Sequence, residues 1–142
     1  MPSNRLIFDA NAILRYILDD IPEQADIVEK IINEREALAL PEVIAEAVYI
    51  LTKYYNIERK EAVENIIVFL NEIKDKNEIL RLALKTFSET NFDFVDCILY
   101  ANSKQYDIFT FDKKLSGFMQ QRLDLPPSEN DLEVFENNPD LN

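Results

Sequence analysis

Short apolar runs alternate along this chain with longer stretches patterned for helices, and that alternation restricts the fold more than any other feature. Residues 5–8, 37–40 and 107–111 are short, bulky and bounded by polar residues or proline, as buried parallel strands are. Between them run amphipathic helical patterns. Pro22 opens one, with Ala25, Val28, Ile31 and Ile32 at helical spacing. Pro41 opens another, carried by Val43, Ala47, Ile50, Leu51 and Tyr54 over residues 41–55. Further helices are expected over residues 11–18, 58–72 and 92–105, with the 41–55 and 58–72 helices forming an antiparallel hairpin turned at Asn56-Ile57. Residues 78–88 read either as a short strand feeding a helix or as helix throughout. Strands alternating with helices give an α/β fold of three layers, a mostly parallel sheet between helices.

The 142 residues, 47% hydrophobic and 30% charged, suit one soluble domain with a substantial core. Residues 1–122 are expected to form that domain and residues 123–142 an acidic, partly disordered tail. No apolar stretch is long enough to cross a bilayer, so no membrane partner is expected. Residues 1–5 lead straight into a strand without a signal-peptide pattern, and a cytoplasmic protein is expected.

Missing residue types remove whole classes of chemistry. With no histidine, the usual Ser-His-Asp and Cys-His systems are excluded, as are imidazole-based zinc sites. Cys97 is the sole cysteine, so an intrachain disulfide is impossible, and its setting reads as packing. A single glycine, Gly117, excludes the Gly-rich loops that cradle nucleotides. Oxygen-ligand chemistry remains.

The formal net charge of −12 opposes casual nucleic-acid binding, since phosphate backbones need basic neighbours. Half of that excess lies from Leu123 onward, where there are six acids and no Lys or Arg.

Four acids occupy positions where an α/β fold gathers ligands. Asp9 closes the first strand and Asp112 the last, and ligands of open parallel sheets bind beyond the carboxyl ends of strands. Glu46 lies at the margin of an apolar helical stripe, and Asp96 in the first turn of a helix. Carboxylates gathered together repel one another unless protons or a cation relieve them, which reads as a divalent-metal site. Each also has a structural reading. Asp9 is placed to cap the next helix, Glu46 to be a solvated flank residue, and Asp112 to be a turn residue. Asp93 and Asp96 are spaced as a capping box. Lys113, Lys114, Arg15 and Lys53 are candidate phosphate contacts or solvated surface cations.

Taken together, the order and setting of these residues resemble the PIN-domain family, and within it the small VapC-like toxins. Residues 6–11 (Leu-Ile-Phe-Asp-Ala-Asn) resemble the family's opening strand with its Asp-x-Asn. Residues 41–46 are similar to the segment supplying a helical glutamate, residues 92–101 to the one carrying the third acid, and residues 109–112 to the strand ending in Thr-x-Asp. The resemblance implies a parallel sheet of four or five strands and cleavage of single-stranded RNA. It implies Asp9, Glu46, Asp96 and Asp112 as Mg²⁺ or Mn²⁺ ligands and catalytic acids, with Asn11, Asp93 and Thr110 in support. It further implies a homodimer and an antitoxin partner. The acidic tail falls outside the family pattern.

Two rivals belong to other classes. A catalytically silent PIN-fold module that recruits a protein partner suits the acidic surface. A haloacid-dehalogenase-type phosphatase wants a second Asp two residues after the first, and position 11 is Asn.

Overall fold

The computed structural model describes residues 5–123, so the expectation of an acidic tail lies, from residue 124 onward, outside the described residues. The chain divides between Lys76 and Asn77 into two compact units.

The first unit begins with strand β1 (Leu6–Ile7), followed by helices α1 (Ala10–Leu18) and α2 (Pro22–Glu34) and strand β2 (Ala37–Leu38). Helix α3 (Pro41–Tyr49) then runs into a π-helical turn over Ile50–Tyr54, and α4 (Arg59–Glu72) closes the unit. The two strands pair in parallel, Leu6 opposite Ala37 and Ile7 opposite Leu38. The Leu6 N–H donates to the Glu36 carbonyl at 2.8 Å. Such a parallel pair requires a long crossover, here α1 and α2.

Both strands are shorter than expected because helix starts cut them off. Asp9 already serves as the N-cap of α1, and Pro41 occupies the first turn of α3. Apolar side chains from the helices fill the unit around Phe69, which is 1% exposed and meets Phe8 and Tyr16 edge-on at ring-centroid distances of 6.0 Å. The helix expected to run to Tyr55 widens after Tyr49. The Tyr55 N–H reaches back five residues to the Ile50 carbonyl at 3.1 Å, the signature of a π turn. Asn56 then adopts a left-handed φ of 54°, which reverses the chain into α4 at the expected hairpin position.

The second unit contains α5 (Glu78–Glu89), α6 (Phe94–Asn102) and α7 (Lys113–Leu123). Residues 78–88 are therefore helical throughout. The Asn77 side chain caps α5 by accepting the Leu80 N–H at 3.1 Å. Helices α5 and α6 pack closely, with Phe87 and Phe94 edge-on at 5.7 Å. Tyr100, Leu115, Phe118 and Met119 form a buried cluster against which Ile108 and Phe92 rest.

Residues 107–111, expected as a buried strand, contain no strand among the described residues. Phe109 and Phe111 are 85% and 90% exposed. A strand needs a ladder partner for its N–H and C=O groups, and the described part of this unit is otherwise helical. The sheet of the described residues thus has two strands rather than the four or five expected. No helix among the described residues is long and apolar enough to cross a membrane.

Candidate metal centre

Three of the candidate acids do a structural job first. Asp9 follows β1 with extended backbone, and its Oδ1 accepts the Ala12 N–H at 2.8 Å as the N-cap of α1. Asp93 Oδ1 accepts the Asp96 N–H at 2.9 Å and caps α6. Asp112 Oδ1 accepts the Lys114 and Leu115 N–H groups at 2.9 and 3.1 Å at the start of α7. One oxygen of each carboxylate is held by the backbone in this way. A carboxylate has two oxygens and about four lone-pair sites, so capping leaves acceptor capacity for a cation.

In the first unit, Asp9 and Glu46 are both exposed, at the start of α1 and within α3, two helices that pack against each other. Asn11 is exposed in the first turn of α1. A cavity of ≈ 540 Å³ is bounded by Arg5, Glu36, Leu38, Lys74 and Lys76 among others. None of the candidate acids lines it.

In the second unit, Asp93 and Asp112 both act on Asp96. Partial burial, the negative charges of Asp93 and Asp112, and a hydrogen bond to Asp93 together hold the Asp96 carboxyl above its ordinary range. Thr110 supports the arrangement from the side, its Oγ1 accepting the Asp112 N–H at 3.0 Å. Helix N-termini stabilise negative charge, and Asp93 is the N-cap of α6 while Asp96 sits in its first turn. That stabilisation does not cancel the mutual repulsion felt by Asp96.

This donor set suits a hard divalent cation, because carboxylate oxygens are the ligands that Mg²⁺ and Mn²⁺ prefer. A cation placed beside Asp96 would relieve the carboxylate repulsion that, after burial, raises its pKa. Among the described residues, however, no three acids stand at the spacing of a closed metal site.

The candidate cations separate into two kinds. Arg15 is engaged, with Nη1 3.0 Å from Asp20 Oδ2 and Nη2 donating to the Tyr55 hydroxyl at 3.5 Å. Its side chain is 14% exposed, which removes it as a phosphate contact and makes it a tie between α1 and the turn after the π segment. Lys53, Lys113 and Lys114 are exposed. Cys97 is 1% exposed, in keeping with a packing role. Sequence reasoning missed the Arg15–Asp20–Tyr55 tie, because no pattern links positions 40 residues apart.

The α/β architecture and the strand-end and helix-start acids define the class of fold, and comparison with known families makes it specific. The PIN domain family model matches residues 6–118, and the chain belongs to that family. PIN domains are commonly nucleases that act on RNA or DNA, typically with divalent metal ions. Neither the curated proteins nor the solved structures gave a match.

Proposed function

We propose that the protein is a metal-dependent endoribonuclease that hydrolyses phosphodiesters of single-stranded RNA, as a VapC-type toxin does. The observation that carries this reading is the PIN family match over residues 6–118, beside the placement of Asp93, Asp96 and Asp112 where burial first, and the charges of Asp93 and Asp112 second, hold the Asp96 carboxyl above its ordinary range. Asp9, Glu46, Asp96 and Asp112 would hold Mg²⁺ or Mn²⁺, with Asn11, Asp93 and Thr110 orienting them. The fuller parallel sheet of four or five strands belongs to the same reading, as do residues 1–122 as the catalytic domain.

A divalent cation held by these acids would supply water activation, charge relief on the phosphoryl oxygens and help for the leaving oxygen. The chain's own contribution is orientation. Capping fixes the Asp9, Asp93 and Asp112 carboxylates against their helices, and Thr110 holds the backbone of Asp112. With no histidine in the chain, proton transfer falls to carboxylate, lysine or water. A cytoplasmic location, a homodimer and a proteinaceous antitoxin complete the proposal.

The test is incubation of the protein with a mixed single-stranded RNA pool in Mn²⁺, then in chelator, alongside Asp96→Asn. Cleavage that requires both metal and Asp96 supports the enzyme. Intact RNA in every condition, from a folded protein, would favour the silent interaction module, which the net charge of −12 also suits.

A further inference from the structure

In a chain of net charge −12, residues 47–60 are locally basic, with Lys53, Arg59 and Lys60 against the single acid Glu58. Three of the six tyrosines, Tyr49, Tyr54 and Tyr55, lie in the same segment. They are 65%, 75% and 38% exposed, and Lys53 is exposed among them. Large aromatic rings ordinarily add to stability by being buried, so several left in water on one turn mark a surface that meets a ligand.

The π turn gathers these side chains. In a regular helix, residues five apart point about 140° away from one another, at 100° per residue. The wider turn over Ile50–Tyr54, whose hydrogen bonds reach back five residues, brings Tyr54 round towards the side of Tyr49. The Thr52 hydroxyl donates to the Val48 carbonyl at 2.8 Å, a back-bond of the kind that bends helices. Tyr54 is also braced. Its ring meets Tyr55 edge-on at 5.0 Å, and the Tyr55 hydroxyl accepts from the Arg15 guanidinium. Glu46 stands three residues before Tyr49, one turn away on the same exposed face of the helix. Such π turns recur at functional sites.

We propose that Tyr49 and Tyr54 form a stacking platform for bases of the RNA strand next to the cut, with Lys53 pairing with a phosphate between them. The inference rests on the endoribonuclease reading, which places a cation at Glu46. From Glu46 to Tyr54 the helix rises about 12 Å at 1.5 Å per residue, room for about three stacked nucleotides at 3.4 Å each. Every base has a π face, so the platform grips single strands without reading sequence, and it cannot reach bases paired inside a duplex. Aromatic rings interleaved with an ammonium group fit a nucleotide chain better than an apolar protein face, which would leave Lys53 without a partner. The local excess of positive charge also offsets the repulsion that the rest of the chain exerts on phosphates.

Binding of labelled single-stranded RNA by the full chain tests this, with Mn²⁺ present and Asp96→Asn as the parent, so that on the proposed reading no strand is cut. Tyr49→Ala and Tyr54→Ala are each expected to raise the Kd for a uridine dodecamer by about fivefold to a hundredfold, the range for a lost base–aromatic stack. Tyr49→Phe and Tyr54→Phe should keep the parent value. An abasic dodecamer, which has phosphates and no bases, should bind the parent and the alanine variants alike. Lys53→Gln should weaken both oligomers and flatten the slope of log K against log salt by roughly 0.7. Unfolding midpoints near the parent's separate a lost contact from a lost fold. The proposal is overturned by a parent that binds no RNA, by alanine variants that bind the uridine dodecamer normally, or by equal losses on the abasic one. Alanine variants that change only the oligomeric state would assign the tyrosines to a second copy and overturn it too. The two readings fail separately. Metal-dependent cleavage with an unchanged KM in both alanine variants of the otherwise wild-type chain removes the platform and leaves the nuclease, whereas base-dependent binding by a wild type that never cleaves removes the nuclease and leaves the platform.

Discussion

Asp93 accepts the backbone N–H of Asp96 at 2.9 Å, so the residue that starts α6 also holds the acid three positions on within reach of its own negative charge. A contact that stabilises the helix thereby destabilises the ionised form of its neighbour.

The first prediction concerns pH. Because burial and the neighbouring charges raise the folded-state pKa of Asp96, the native state binds that proton more tightly than the unfolded chain does. The contribution of Asp96 to stability is full below its unfolded pKa and is lost as pH rises through the folded value. Asp96→Asn should therefore raise the melting temperature at pH 7 and change it little in acid, as thermal unfolding across pH would show. Mn²⁺ should stabilise the wild type at neutral pH and do so less in the variant. A variant that melts lower at pH 7 would show that Asp96 is not repelled.

Asp9 separates capping from charge. Asn keeps the N-cap acceptor, whereas Ala removes it at a cost of about 0.5–2 kcal/mol. Asp9→Asn should unfold in urea near the wild-type midpoint and Asp9→Ala at a lower one. If the proposed nuclease reading holds, both should lose RNA cleavage by about a hundredfold or more, at least as much as losing an outer partner of a metal site. Cleavage retained by Asp9→Asn would remove Asp9 from the centre.

Phe69 is 1% exposed and touches both Phe8 and Tyr16. Phe69→Ala should cost about 3–5 kcal/mol in denaturant unfolding, from lost transfer energy and the cavity left behind. A loss below 1 kcal/mol, on the order of a surface change, would contradict the packing of this unit.

Asn56 carries a left-handed φ of 54° at the turn into α4. Asparagine tolerates that conformation, while other residues with a Cβ lose roughly 1–2 kcal/mol there. Asn56→Ala should be destabilised by that order and Asn56→Gly much less, measured by the same unfolding experiment.

Much of this arrangement was legible in the residues. Pro22 and Pro41 mark helix starts because proline fits the first turn, and Asn56 marks a reversal because it accepts positive φ. The capping roles read for Asp9 and Asp93 are realised as hydrogen bonds to Ala12 and Asp96. The π turn was not legible, since five residues of wider helix leave the apolar stripe of residues 41–55 almost unchanged. Nor was the exposure of Phe109 and Phe111. Sequence shows that a segment is apolar and extended, but not whether a partner strand lies beside it. The four acids were picked out by position and by resemblance, and local periodicity carries no information about their separation in space.

If the proposed metal reading holds, the backbone hydrogen bonds that fix Asp9 and Asp112 at the starts of α1 and α7 would tie ligand aim to helix placement. A shift of either helix by a fraction of an ångström swings its carboxylate by a similar amount, with no flexible linkage to absorb the movement. Substitutions buried far from the acids, which would ordinarily be scored only for thermal tolerance, should therefore also register as altered metal affinity.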